Sequence, residues 1–127
     1  MDFFLEGRIP SKKNSKMIVT NKRTNRPMVL SSTEYCKWEK WAVLELMSQS
    51  SKQKLAKHFA CCDVCIGITF PDNRRTDLSN KAEGVMDALV KAAIIEDDCW
   101  QVARCLTIFV LEGEVGAHVS VVKRDEK

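Results

Sequence analysis

Pro71 separates two segments that require different structures. Before it, Cys61–Phe70 is an apolar run rich in strand-forming side chains. The proline ring removes a backbone donor and stops that strand. After it, residues 72–77 form a charged loop. Apolar residues then recur at helical spacing, with Leu78, Ala82, Val85, Leu89 and Ala92 on one stripe of a helix expected over Leu78–Ala93. Asn80, Glu83, Asp87 and Lys91 fall on another face of that helix. Gly84, on the polar side, would let another backbone approach closely. Gln101–Leu111 and Val115–Val122 read as strands, joined through Glu112–Glu114 as a hairpin.

The first half reads in the same way. Phe3–Ile9 is expected to be a strand, broken by Pro10 and the polar run Ser11–Lys16. Met17–Thr20 and Met28–Leu30 flank a polar tip, Asn21–Arg26, and suggest a hairpin. Ser31, Ser32 and Thr33 are helix-capping types. From Ser32 to about Ser48, Tyr35, Trp38, Ala42, Leu46 and Met47 recur at helical spacing. Gln49–Lys57 is a polar connector with some helix. The whole is a mixed α/β fold, one domain over 1–127, with a mixed β-sheet and two main helices.

Composition narrows the class of protein. The chain is 45% hydrophobic and 29% charged, as an ordinary globular domain is. No apolar run approaches the roughly 20 residues of a membrane-spanning helix, so no membrane partner is expected. MDFFLEGRIP lacks the pattern of a secretory signal, and the expected location is the cytoplasm. Cys62-x-x-Cys65, with Cys61 and His58 nearby, has part of a zinc spacing, but no second pair completes it. The six cysteines are therefore read as reduced, and those of Cys61–Phe70 as small core hydrophobes.

Charge is unevenly spread. Residues 1–30 hold seven basic residues against two acids, and residues 72–98 hold seven acids against four bases. A basic arm beside an acidic pocket suits a metal-dependent enzyme acting on nucleic acid. Phosphodiester hydrolysis needs an activated water, a neutralised phosphoryl charge and a stabilised leaving oxygen. A few carboxylates holding Mg2+ (or Mn2+) supply all three. Two carboxylates about 4 Å apart repel by roughly 4 kcal/mol at an effective dielectric near 20, so such a cluster calls for a cation. Asp77, Glu83, Asp87, Asp97 and Asp98 are the candidate ligands. Lys12, Lys13, Asn14, Lys16, Arg74, Arg75 and Asn80 are candidate DNA contacts; if several bind phosphate, log affinity falls steeply with log salt. Trp38 and Trp41 lie on a helix and read as core or interface. Trp100 follows the acidic pair and is more open, able to stack on a base.

Pro71, Arg74-Arg75, Asp77-Leu78, Asn80, Asp87-Ala88-Leu89 and Asp97-Asp98, with Ile9-Pro10-Ser11-Lys12-Lys13-Asn14 upstream, resemble the RusA family of Holliday-junction resolvases. The resemblance implies a homodimer that makes paired symmetric nicks in branched DNA, the four-way junction, with Mg2+ or Mn2+ held by aspartates. Asp77 and Asp98 match two of the family's metal-binding positions. Two positions depart from its common form: Ser79 replaces an aspartate and Glu83 replaces a lysine. The expectation is that Glu83 substitutes as a ligand and Lys81 supplies the basic group, so that Asp77, Glu83, Asp98 and Lys81 form the catalytic set. A non-catalytic junction-binding protein with the same fold is the alternative.

Helix geometry limits how these acids meet. A straight helix over Leu78–Ala93 is about 24 Å long, with Asp77 before it and Asp98 beyond it. Either the chain after Ala93 doubles back, or the helix starts late or bends, or a sister subunit completes the site. An obligate dimer is favoured, because paired cuts also need a two-fold axis.

Overall fold

The computed structural model describes residues 1–11, 16–31 and 33–125, and at 16–19 and 28–31 it describes the backbone. In chain order the elements are β1 (Asp2–Glu6), β2 (Lys16–Asn21), β3 (Arg26–Ser31), α1 (Thr33–Lys52), β4 (Cys62–Thr69), α2 (Leu78–Lys91), β5 (Ala103–Val110) and β6 (Gly116–Lys123). Four strands form a mixed sheet in the order β1-β6-β4-β5, and β2 with β3 forms a separate antiparallel ribbon. Asn25 takes a left-handed φ of 55° in the ribbon's turn, a conformation that asparagine tolerates.

Period-two alternation puts one side of the sheet into the core. Phe3 and Leu5 of β1, Val64, Ile66 and Ile68 of β4, and Ala117, Val119 and Val121 of β6 all join one buried cluster. Both helices pack into that cluster, α1 through Tyr35, Trp38, Ala42 and Leu46, and α2 through Ala82, Val85, Met86 and Leu89. Met47, although at helical spacing with these, is half exposed. Gly84 faces the aromatic rings of α1 rather than a backbone: a Cβ there would meet Tyr35 Cε2 and Trp38 Cζ3 at 3.4 Å, an ordinary contact distance.

The second expected hairpin does not form. β4 lies between β5 and β6, pairing parallel with β5 (Val64↔Leu106, Ile66↔Ile108) and antiparallel with β6 (Ile66↔Val119). The cause is the demand of β4 itself. It is the most buried strand and needs ladder partners on both edges, and the α2 crossover delivers β5 parallel to it. The chain then passes over the end of β4, where Leu111 N–H donates to Ile68 O at 2.9 Å. Gly67 makes room for this passage: a Cβ there would lie 2.4 Å from Leu111 Cδ1.

The end of α1 reaches further than the expected connector and closes the β1 edge. Gln49 accepts from Phe4 N–H at 2.9 Å and donates to Phe4 O at 2.6 Å, and Gln53 donates to Asp2 O at 2.7 Å. All six cysteines are free thiols. Cys62 and Cys65 are three apart on β4 and point to opposite sides of the sheet, so one zinc ion does not span them. Cys62 is fully buried, and its thiol is pushed up to about 11, first by burial and then by Cys61 and Asp63. Among the described residues no helix is long and apolar enough to cross a membrane.

Candidate active site

The site grows out of the two ends of α2. At its start Asp77 is the N-cap, with extended φ and ψ of −77° and 115°. Its Oδ1 accepts from Ser79 N–H at 3.0 Å and from Ser79 Oγ at 2.7 Å, so this carboxylate satisfies the helix's opening donors. Ser79, Glu83 and Asp87 then recur every four residues and share one side of the helix.

At the other end the chain doubles back. Ala93 takes a left-handed φ of 58°. Its N–H donates to Val90 O at 3.0 Å, and Ile94 N–H donates to Leu89 O at 3.0 Å, the pattern of a Schellman cap. Ile94 and Ile95 enter the core, and the backbone of Ile94 and Glu96 bonds with Phe59. The chain therefore returns along α2, and Asp98 enters the cleft that Glu83 and Asp87 line within the same chain. Asp97 turns aside: its Oδ1 accepts from Asp98 N–H at 2.8 Å.

The cleft holds about 430 Å3 and is lined by Ser79, Ala82, Glu83, Met86 and Asp87 of α2, by Asp98, and by Leu106 and Ile108 of β5. Three carboxylates thus face an apolar wall. Among the described residues no three His, Cys, Asp or Glu side chains are gathered closely enough to form a ready-made metal cage. Asp77 lies about 9 Å along the helix axis from Glu83 and does not line the cleft.

A partly buried network joins the two helices beside the acidic face. Tyr35 O–H donates to Glu39 Oε2 at 3.1 Å, and Lys91 Nζ donates to Glu39 Oε1 at 2.5 Å, joining α1 to α2. Burial holds the Tyr35 phenol well above its ordinary range, with Glu39 and then Asp87 adding to the effect.

The remaining candidates divide by location. Lys81 is 5% exposed and donates to Ile9 O at 2.5 Å, on a side of α2 away from the cleft. Burial lowers its pKa, Arg8 lowers it further, and Glu34 opposes them. Asn80 is 6% exposed, and its Oδ1 has no hydrogen-bond partner among the described residues. Arg74 and Arg75 are exposed in the loop before α2, where Arg74 Nε pairs with Asp72 Oδ2 at 3.3 Å. Lys12, Lys13 and Asn14 lie outside the described residues, as does the side chain of Lys16, whose backbone opens β2. Leu106 and Ile108 were not singled out from the sequence. Their spacing on β5 puts both on one side, but only pairing with β4 turns that side toward α2.

The chain has no match among curated proteins. The family model described as Endodeoxyribonuclease RusA matches residues 8–122, a span that contains α2, the reversal at Ala93, Asp98 and the β5 wall. The chain belongs to the RusA family of endodeoxyribonucleases.

Proposed function

We propose that this protein resolves four-way DNA junctions by metal-dependent phosphodiester hydrolysis, as a homodimer that places one nick in each of two strands. One observation carries the reading: Asp98 returns across α2 to the cleft of Glu83 and Asp87. The donors suit Mg2+ or Mn2+, because all are hard oxygens and the open cleft leaves space for the waters that such ions keep. Glu83 and Asp87, four apart on α2, would hold the cation with Asp98. Asp77 and Asp97 flank the set and fix the backbone at its two ends. When bound, the cation lowers the pKa of water and offsets charge on the phosphoryl oxygens.

The chain's own residues do the rest. Arg74 and Arg75, exposed before α2, attract the phosphate backbone, together with the basic residues 12–16. The apolar wall of Leu106 and Ile108 keeps part of the cleft dry and strengthens the field of the acids. Lys81 supplies a buried positive charge behind the start of α2. Two subunits related by a two-fold axis would address the two symmetric strands of the junction.

Nicking of a synthetic four-way junction tests the proposal. Paired symmetric cuts are expected in Mg2+ or Mn2+ and none in EDTA. A junction bound tightly but left intact with either ion would favour the second reading, a junction-binding protein without catalysis. Ser79 supports that alternative, since its hydroxyl engages Asp77 where the family commonly has a further acid.

A further inference from the structure

Trp100 is 70% exposed, more than any other large apolar side chain of the described residues. It stands on a tight turn that cannot fold it back into the core. Val102 and Ala103 both donate their N–H groups to Cys99 O, at 3.1 and 2.9 Å, and clamp the turn beneath it. The guanidinium of Arg104 lies 5.6 Å from the centroid of its ring and covers one face of the indole. The other face is left for a partner.

The position of this pair gives it meaning. Trp100 is two residues from Asp98, a span of at most ~7 Å. Leu106 lines the carboxylate cleft, and Arg104 stands two residues before it, where the pairing of β5 with β4 shifts register. An aromatic face and a cation therefore stand within a few residues of Asp98 and Leu106, two residues that line the cleft. Every nucleobase has a π-face, so such a platform accepts unstacked bases with little regard to sequence. The arginine beside it offers the positive charge that an adjoining phosphate needs and that the acids of the cleft lack.

Resting on the nuclease reading above, we propose that Trp100 stacks on an unpaired nucleobase next to the phosphate held at the cleft, with Arg104 orienting the ring and contacting the strand's backbone. The occupant is a single strand or the opened centre of a branched DNA, not an intact duplex.

The test uses the full chain, an oligo-dT single strand and EDTA, so that no cleavage intervenes. Wild-type tryptophan emission should be quenched on binding. W100F should lose that quenching, although Trp38 and Trp41 remain, while keeping part of the affinity. W100A should bind about tenfold more weakly. The exposed site predicts an unchanged melting temperature for both variants. Equal affinity and equal quenching in wild type and W100F would overturn the stacking proposal. If wild type fails to nick a junction in Mg2+ or Mn2+ yet shows the quenching and the W100A defect, the nuclease reading falls and the stacking platform stands.

Discussion

The two edges of the four-stranded sheet are treated in opposite ways. At the β1 edge Phe3 and Leu5 are buried, and glutamines from the end of α1 bond to the strand's backbone. At the β5 edge Leu106 and Val110 are 45% and 61% exposed. An open apolar edge is a liability that soluble proteins usually cover. Here part of it, at Leu106, forms the wall of the acidic cleft. One edge is sealed by the fold, and the other is left open beside the proposed site.

The contrast is open to attack at several points, beginning with the largest effect. Leu5→Ala should cost about 2–5 kcal/mol in a denaturant melt, because it empties a fully buried position. Leu106→Ala should cost no more than about 1 kcal/mol. Equal costs would mean that β5 is structural after all. Next, Asp98→Asn should lower junction nicking on the order of a hundredfold or more with little change in melting, since one ligand of the proposed cation is lost. Loss of folding instead would move Asp98 from the site to the scaffold.

Gln49→Ala should destabilise by about 1–2 kcal/mol, through two lost bonds to the Phe4 backbone. Slow hydrogen exchange at Phe4 should become fast; no change there would show that α1 does not seal the β1 edge. A smaller effect is expected between the edges, at Cys62. Its thiol is raised in the folded state from 9.0 to about 11. The unfolded chain therefore loses that proton first as pH rises through 9, and stability falls from there until the folded thiol ionises. Cys62→Val should lose about 1 kcal/mol less than wild type between pH 8 and about pH 10. Parallel pH curves would remove burial as the cause.

Much of this organisation is legible before any coordinates. The stripe Leu78–Ala92 marks α2, Pro71 marks the end of β4, and the polar tip after Met17–Thr20 marks the ribbon. Strand pairing is less legible, because alternation within a strand says which side is buried but not which strand lies beside it. The short turn between β5 and β6 resembles a hairpin, and only the need of β4 for two partners excludes one. Glu83, Asp87 and Asp98 stand out by residue type, yet their meeting depends on the reversal at Ala93. A glycine would have advertised that reversal; an alanine hides it. Asn80 and Lys81 mislead in the other direction. Polar residues on a helix usually face water, but both are buried, and Lys81 is tethered to the Ile9 carbonyl.

The left-handed Ala93 makes the spacing of the acids a matter of backbone torsion rather than of side-chain choice. A single residue inserted between Ala93 and Asp98 would leave every carboxylate in the chain and still swing the last of them out of reach. Protein engineers altering this enzyme would therefore do better to guard the length of that return path than the identity of its neighbours.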